Sequence, residues 1–220
     1  MDDFSPIVRD PRRWQAFLLG ISANGAPSRH AIAKILTLAE CRSVIDFGCG
    51  PALLYDLLPS GTSYVGIDAS PAMAEKARER LEALDAQDTT PAVSKRTYNI
   101  FTGGADFLSG FKGPAAKDAV VLRHVLEHVQ EPEPIIRAAC AAARKRILVA
   151  LSVPALAASA ESCFNDAFLG VPRWRHGVER LARAFRGNNL DGGGTWTLRR
   201  IMDVPLPHGE ELFSAESGPL

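Results

Sequence analysis

The sequence lacks an excess of either charge, any close cysteine pair, and any long apolar run. Lys+Arg and Asp+Glu both number 25, so no global field draws the chain to nucleic acid or to an anionic membrane, and any polyanion would have to be met locally. The four cysteines, Cys41, Cys49, Cys140 and Cys163, form no C-x-x-C pair. That argues against a disulfide framework or a zinc knuckle and for reduced thiols. No apolar stretch approaches membrane-spanning length, and Met1-Asp2-Asp3 leads into no apolar signal core, so a cytoplasmic location is expected. With 220 residues and 46% hydrophobic content, one globular domain that needs neither metal nor disulfide for its core is expected.

Against these absences one stretch stands out, Val44-Ile45-Asp46-Phe47-Gly48-Cys49-Gly50-Pro51-Ala52-Leu53-Leu54. An apolar run ends in an acid, two glycines follow at i and i+2, and apolar residues resume at helical spacing: strand, tight turn, helix. Glycine lets a ligand approach the backbone and tolerates angles that other residues resist. A second strand, Tyr64-Val65-Gly66-Ile67-Asp68, also ends in an acid, placed to accept from ribose hydroxyls. A dinucleotide site would want G-x-G-x-x-G. Here the sixth position is Leu53, and Asp46 two residues before the first glycine suits an ammonium group and opposes pyrophosphate. An NAD-dependent oxidoreductase is disfavoured on both counts.

In its combination of motifs the chain resembles the class I S-adenosylmethionine (SAM)-dependent methyltransferases, from about Val44 to Pro154. Asp46, Gly48 and Gly50 match the family's acid followed by G-x-G-x-G, with Ala52 where a third glycine is usual. The run from Gly66 to Met73 matches its second motif. The resemblance implies that Asp46, Gly48, Cys49, Gly50, Asp68, Ala69, Met73 and Arg123 contact SAM. It also implies that Asp106 accepts from the adenine amine while the backbone amide of Phe107 meets a ring nitrogen.

The fold expected is α/β, a three-layer sandwich around a mostly parallel Rossmann-like sheet, with N-terminal helices and an antiparallel C-terminal hairpin. A single domain divides into an N-terminal helical segment (1–42), a cofactor-binding core (43–154) and an acceptor-side part (155–220). Trp14, Phe17, Leu18 and Ile21 stripe a first helix. Ser28 is the expected N-cap of a second, whose stripe is Ile32, Ile35, Leu36 and Ala39. These helices are packing elements or a lid over the donor pocket. Leu53 to Leu58 should continue as a helix until Pro59, and Ser70-Pro71 should cap another whose apolar face is Met73, Ala77, Leu81 and Leu84. A third strand falls in 94–101, a fourth over 118–122 and a fifth over 147–153. A helix starting at Glu131-Pro132-Glu133-Pro134 should close on Arg144, Lys145 and Arg146. Residues 159–185 read as helical with a break near Gly170-Val171-Pro172, 190–194 as a turn, and 196–204 with 211–214 as the hairpin.

The chemistry-bearing cluster is Arg123-His124-Val125-Leu126-Glu127-His128-Val129, at the carboxyl end of the fourth strand, where open α/β sheets hold ligands. His124 to His128 fits H-x-x-E-H of zinc peptidases, but that pattern needs a long helix, which Pro132 and Pro134 forbid. Val125 to Val129 instead matches a methyltransferase motif following this strand. An E-x-x-E-H version of it holds a magnesium-type ion in some members of the family. His124 replaces the first acid, so no metal is assigned. His124, His128 and Glu127 are the candidate catalytic residues, the histidines as proton acceptors; the bland alternative is that Glu127 and His128 merely fix the loop. No Asn/Asp-Pro-Pro-Tyr/Phe and no Pro-Cys pair appears, which disfavours the DNA-base enzymes carrying them. The resemblance therefore implies methyl transfer to oxygen or nitrogen of a small-molecule acceptor. The alternatives are an RNA or protein acceptor met by the arginines between 172 and 200, or a SAM-binding protein without turnover.

Overall fold

A computed structural model describes residues 5–89, 96–152, 155, 161–165, 172–188, 195–201 and 210–217. Three helices come first: α1 (Ser5–Val8), α2 (Pro11–Asn24) and α3 (Ala26–Leu38). Then β1 (Ser43–Phe47), β2 (Ser63–Asp68), α4 (Pro71–Gln87), β3 (Thr97–Thr102), α5 (Ala105–Ser109), β4 (Lys117–Arg123), α6 (Glu133–Ala142) and β5 (Ala143–Leu151) alternate. The remainder comprises β6 (Ser162–Asn165), β7 (Pro172–Arg175), α7 (Val178–Arg186), β8 (Trp196–Arg200) and β9 (Glu211–Ser217). Among the described residues no helix is long and apolar enough to cross a membrane.

Seven strands form one sheet in the order β3-β2-β1-β4-β5-β9-β8, the first five parallel and β9 and β8 antiparallel. The expected α/β sandwich and its antiparallel end are thus present. Chain order reverses between β1 and β4, so the crevice for a ligand opens at the carboxyl ends of those two strands. Strand periodicity then decides which side chains meet there. Ile45, Phe47, Val120 and Leu122 point to the face covered by α6 and α7; Val44, Tyr64, Ala119 and Val121 point to the face with Ile32 and Leu36 of α3 and Ala74, Ala77 and Leu81 of α4. Because successive residues alternate, Asp46 and Arg123 fall on the α3 side. Two charged groups at the end of apolar strands are delivered beside the same helix.

Several boundaries differ from the expectation, each for a local reason. Leu53 to Leu58 do not form an α-helix: Ala52 is left-handed (φ +55°), and only a 3₁₀ turn, Tyr55–Leu57, follows. Helix α3 starts at Ala26 with Gly25 as N-cap, while the Ser28 hydroxyl donates to the Gly25 carbonyl (3.2 Å) from inside the first turn. Ser70 does cap α4, accepting from Met73 N–H (3.3 Å), but Leu84 is 37% exposed and lies off the buried face. Arg144, Lys145 and Arg146 belong to β5, since α6 ends at Ala142 and the chain turns extended at Ala143 without a loop. Their charges are answered across strands, Lys145 by Asp118 (3.6 Å) and Arg146 by Glu216 (2.8 Å). The helix expected over 159–185 is only partly present among the described residues: β6 and β7 pair antiparallel, Cys163 opposite Trp174 and Phe164 opposite Arg173, and α7 supplies the helix at the end of the span. Strand-forming aromatics on both arms and Pro172 at the start of β7 favour that pairing. The break at Gly170-Val171 and the turn at 190–194 lie outside the described residues.

Candidate functional site

The turn after β1 is built from backbone hydrogen bonds. Ile67 O accepts from Gly48 N–H (2.7 Å) and Cys49 N–H (3.1 Å), tying the turn to β2. Gly48 (φ +74°) and Gly50 (φ +51°) are left-handed, and a Cβ on Gly48 would lie 2.5 Å from Val125 Cγ2. Gly48 is therefore required both by conformation and by the approach of the segment following β4. Asp68 clamps the same turn: its Oδ2 accepts from Gly50 N–H (2.9 Å) and its Oδ1 from Ser70 N–H (2.9 Å). Burial pushes the Asp68 carboxyl up, against the pull of those two amides.

Above the turn lies a cavity of about 130 Å³. Its floor is Asp46, Gly48, Cys49 and Gly50; Phe17 and Ile21 of α2 cover it, and Arg29, Arg123, His124, His128 and Arg173 line its sides. Asp46 is 4% exposed and accepts from the Tyr64 hydroxyl at Oδ2 (2.8 Å). Burial pushes its carboxyl up to about 6, offset only in part by Tyr64 and Arg123. Arg29 is also buried, donating to Ile21 O (2.8 Å) and Ser22 O (3.0 Å); burial and the neighbouring Arg123 bring its guanidinium down to about 10. Arg123 Nε donates to Ser28 Oγ (3.0 Å). The two guanidiniums crowd Gly25, where a Cβ would stand 1.8 Å from Arg123 Nη2 and 2.8 Å from Arg29 Nη1. Asp46 and the adjacent guanidiniums of Arg29 and Arg123 thus line one small space, with Glu210 Oε1 3.9 Å from Arg123 Nη2, an arrangement that fits an ammonium beside a carboxylate.

At the β4 end, His124 is left-handed (φ +54°), its N–H donating to Ala150 O (2.8 Å). Its Nε2 lies 2.6 Å from Glu210 Oε1, on a carboxylate only 5% exposed. An ionised carboxylate can only accept, so Nε2 carries the proton and Nδ1 is the basic nitrogen. Glu127 is fully buried, and its Oε1 accepts from Ser152 N–H (3.0 Å) and Ser152 Oγ (2.6 Å). Although burial opposes it, His124, His128 and the Ser152 bonds hold its carboxyl below the usual range. Leu126–His128 is a 3₁₀ turn, not an α-helix, and His124 and Glu127 turn to different partners. The zinc-peptidase arrangement is not formed, and among the described residues no three His, Cys, Asp or Glu side chains converge.

The residues expected from sequence are not all brought together. Asp46, Gly48, Cys49, Gly50, Arg123, His124 and His128 share the cavity. Asp68 and half-buried Ala69 lie beside it at the end of β2. Gly103 N–H donates to Asp68 O (2.9 Å), bringing the β3–α5 turn alongside; there Asp106 is exposed in the first turn of α5 and the Phe107 ring packs on Phe101 and Phe111. The Met73 side chain is buried with Ile7 and Phe17 as core. Glu127 is fully buried, with Ser152 as its hydrogen-bond partner. Missed altogether were Arg29 and Glu210. Arg29 had a signal, a cation three residues before Ile32 and seven before Leu36 on an apolar helix face; Glu210, 86 residues from His124, had none.

A larger groove of about 620 Å³ lies between α6 and α7, away from the glycine turn, and Arg180 bridges Glu133 and Glu161 there. Residues 9–199 match the sequence profile of a family described as a methyltransferase domain. No curated protein matches the chain in sequence. Among solved structures, the magnesium protoporphyrin IX methyltransferase ChlM of Synechocystis PCC 6803 with bound SAM has a TM-score of 0.56 at 16% identity, over 88% of this chain and 81% of that one. The pyocyanin biosynthetic protein PhzM gives 0.66 at 19% identity, over 99% of this chain and 62% of that one. The N-terminal domain of EvdMO1, in the presence of S-adenosylhomocysteine (SAH) and D-fucose, gives 0.62 at 12% identity, over 86% and 83%. At these identities the likeness is one of fold.

Proposed function

The chain belongs to the methyltransferase-domain family and is a SAM-dependent methyltransferase, and from that premise we propose that it methylates an oxygen or nitrogen of a small-molecule acceptor. The observation that carries the site assignment is the opposed pair of charges over the glycine turn: Asp46 for the ammonium and Arg29 with Arg123 for the carboxylate of the donor's amino-acid end. Gly48, Cys49 and Gly50 bring backbone close, Asp68 and Ala69 meet the ribose, and Asp106 with the Phe107 amide meets the adenine. When bound, SAM supplies a methyl group on a positively charged sulfur.

His124 removes the proton from the acceptor hydroxyl or amine at Nδ1, and Glu210 fixes its tautomer and steadies the imidazolium that results. His128, in the same wall, is the second candidate for that proton. Glu127 acts as a positioning residue, holding the segment after β4 to Ser152 at the end of β5. Orientation over the donor supplies a large share of the acceleration.

The small acceptor is favoured over RNA or protein because the basic stretch from 172 to 200 is not an open stripe. Arg173, Arg180 and Arg200 face the carboxylates of Glu127, Glu133 and Glu211, and Arg175 lies over the Phe164 ring at 5.2 Å. Two of the similar structures are also named for small molecules, magnesium protoporphyrin IX and pyocyanin. Titration of the protein with SAH and with NAD, then transfer of labelled methyl to small hydroxy and amino compounds, to RNA and to protein, tests the reading. SAH binding and label in the small compounds are expected; NAD binding in its place, or label in RNA or protein alone, would overturn it.

A further inference from the structure

We propose that Tyr64 is a positioning residue for the donor: its hydroxyl holds Asp46 Oδ2 from within the core and leaves Oδ1 to the donor's ammonium. The inference rests on the assignment of Asp46 to that ammonium. In the parallel register of β1 and β2, Asp46 stands beside Gly66, and Tyr64 lies two residues earlier on the same face of the sheet. The Tyr64 ring is fully buried, edge-on to Tyr55 at 5.4 Å, and its hydroxyl donates to Asp46 Oδ2 (2.8 Å). Gly66 makes room for that reach: a Cβ there would lie 3.2 Å from Tyr64 Cε1, 3.0 Å from Cys49 Sγ and 2.6 Å from Ile100 Cδ1. Among the described residues Asp46 Oδ1 has no hydrogen-bond partner, while Asp46 lines the cavity over the glycine turn. One oxygen is thus fixed from behind and the other is left to a ligand.

The same hydroxyl governs the charge that the ammonium meets. Burial pushes the Asp46 carboxyl up to about 6; the Tyr64 hydroxyl is the strongest pull against it, followed by Arg123 on β4, and Arg29 on α3 adds to them while Asp68 at the end of β2 opposes. Burial, with Asp46 and Asp68 nearby, pushes the Cys49 thiol well up. His124, His128 and Arg173 line the same cavity, and Glu210 faces Arg123 at 3.9 Å. Burial, with Asp46 beside it, pushes the Tyr64 phenol well up too, so Tyr64 stays a donor. Removing its hydroxyl takes away the strongest pull on Asp46 and none of the others. The carboxyl then rises above 6, and donor binding becomes pH-dependent in the neutral range, where the wild-type acid is already ionised.

Tyr64→Phe keeps the ring and its packing and removes only the hydroxyl. SAH affinity of the full chain, measured from about pH 5 to about pH 8.5, should rise with pH in both proteins, with the midpoint about one pH unit higher in the variant. Near a pH of about 5.5 the variant should bind SAH about tenfold more weakly than wild type. At a pH of about 8.5 the loss should shrink to about threefold, which is the effect of an acid that is ionised but no longer held. In an Asp46→Asn background the same change should alter SAH affinity by less than about twofold, because the hydroxyl acts through the carboxylate. Tyr55→Phe removes a hydroxyl of the same aromatic group, one that donates to Arg96 O (3.3 Å), and should leave affinity and pH profile as in the wild type. Thermal unfolding at each pH separates lost binding from lost folding. An unmoved pH profile in Tyr64→Phe, or an equal loss in the Asp46→Asn background, makes Tyr64 a packing residue and overturns the proposal. Asp46→Asn alone binding SAH as the wild type does is a different result, seen with Tyr64 intact, and it overturns the assignment of Asp46 together with this inference.

Discussion

At the β1–β2 end of the crevice the groups around the glycine turn are backbone amides and two acids, Asp46 and Asp68, with Gly50 and Asp68 only 18 residues apart. At the β4–β5 end they are side chains joined over long separations: His124 to Glu210 across 86 residues, Glu127 to Ser152 across 25, Arg173 to Ser152 across 21. The first half is a shape that a local sequence dictates. The second is a set of side-chain contacts that exists only once the sheet, the hairpin and the C-terminal strand have assembled. The division should extend to function, the first half governing how tightly the donor is held and the second governing turnover.

The largest effect expected is at the second half. Replacing the proton acceptor, His124→Gln, should lower methyl transfer by on the order of 100-fold, while SAH affinity stays within about twofold. Glu210→Gln should cost about tenfold in kcat with KM little changed, because it loosens the imidazole without removing it. Single-turnover methyl transfer beside SAH titration separates the two quantities. If His124→Gln weakened SAH binding as much as it slowed transfer, the proposed division of labour would fail.

Asp46→Asn should act on the other quantity, weakening SAM and SAH by tenfold or more, about 1.4 kcal/mol, since the ammonium loses its counter-charge. The same substitution should stabilise the protein. A carboxyl raised to about 6 by burial binds its proton more tightly folded than unfolded. Its favourable contribution is therefore complete below pH of about 4 and is lost as pH rises through about 6, a change of roughly 1–3 kcal/mol. Denaturant unfolding between pH 4 and 8 should show wild type losing that increment and Asp46→Asn keeping it. Donor affinity in the wild type should run the opposite way, rising with pH up to about 6 as the acid ionises, with a proton released on binding below that. Calorimetry in buffers of different ionisation enthalpy measures the release. Asp68→Ala follows at about tenfold in donor affinity, since it removes a ribose acceptor and also releases the Gly50 and Ser70 amides.

The same contrast explains what could be read in advance. The sheet from β1 to β5 was legible because buried parallel strands are continuous apolar runs and the glycine turn sits directly after one of them. Asp46, Gly48, Gly50 and Asp68 stand out in the sequence because an acid closing an apolar run and glycines two residues apart are local patterns. For Glu127 the sequence leaves two roles open, catalytic or fixing the loop: whether a side chain after a strand turns toward a ligand or toward Ser152 depends on the packing of β5, which spacing does not encode. The Met73 backbone position followed from the cap at Ser70, but its side chain was decided by Ile7 and Phe17 from the other end of the chain. Glu210 and the β6–β7 hairpin were invisible because a lone acid and two four-residue strands carry almost no periodic signal.

The smallest expected effect bears on why a third glycine is usual at Ala52. Ala52 holds a left-handed φ of +55°, is fully buried, and donates its N–H to Cys49 O (2.9 Å). The position thus demands a conformation more than close approach, and alanine meets it at a strain of about 1–2 kcal/mol. Ala52→Gly would relieve that strain but lose a buried methyl, about 0.8 kcal/mol, and gain unfolded-state freedom of about 0.4–1 kcal/mol. The terms nearly cancel, so stability should move by less than about 1 kcal/mol. SAH affinity should not change measurably, because the groups that hold the donor lie at Asp46, Gly50 and Asp68. Ala52→Val meets the same left-handed geometry with a β-branched side chain in a filled space and should destabilise clearly, by about 2 kcal/mol or more. Urea unfolding of the two variants decides it: if glycine instead tightened SAH binding several-fold, close approach to the ligand would be the reason for small residues along the whole turn, and the donor half would be wider than the cavity above Gly48 and Gly50.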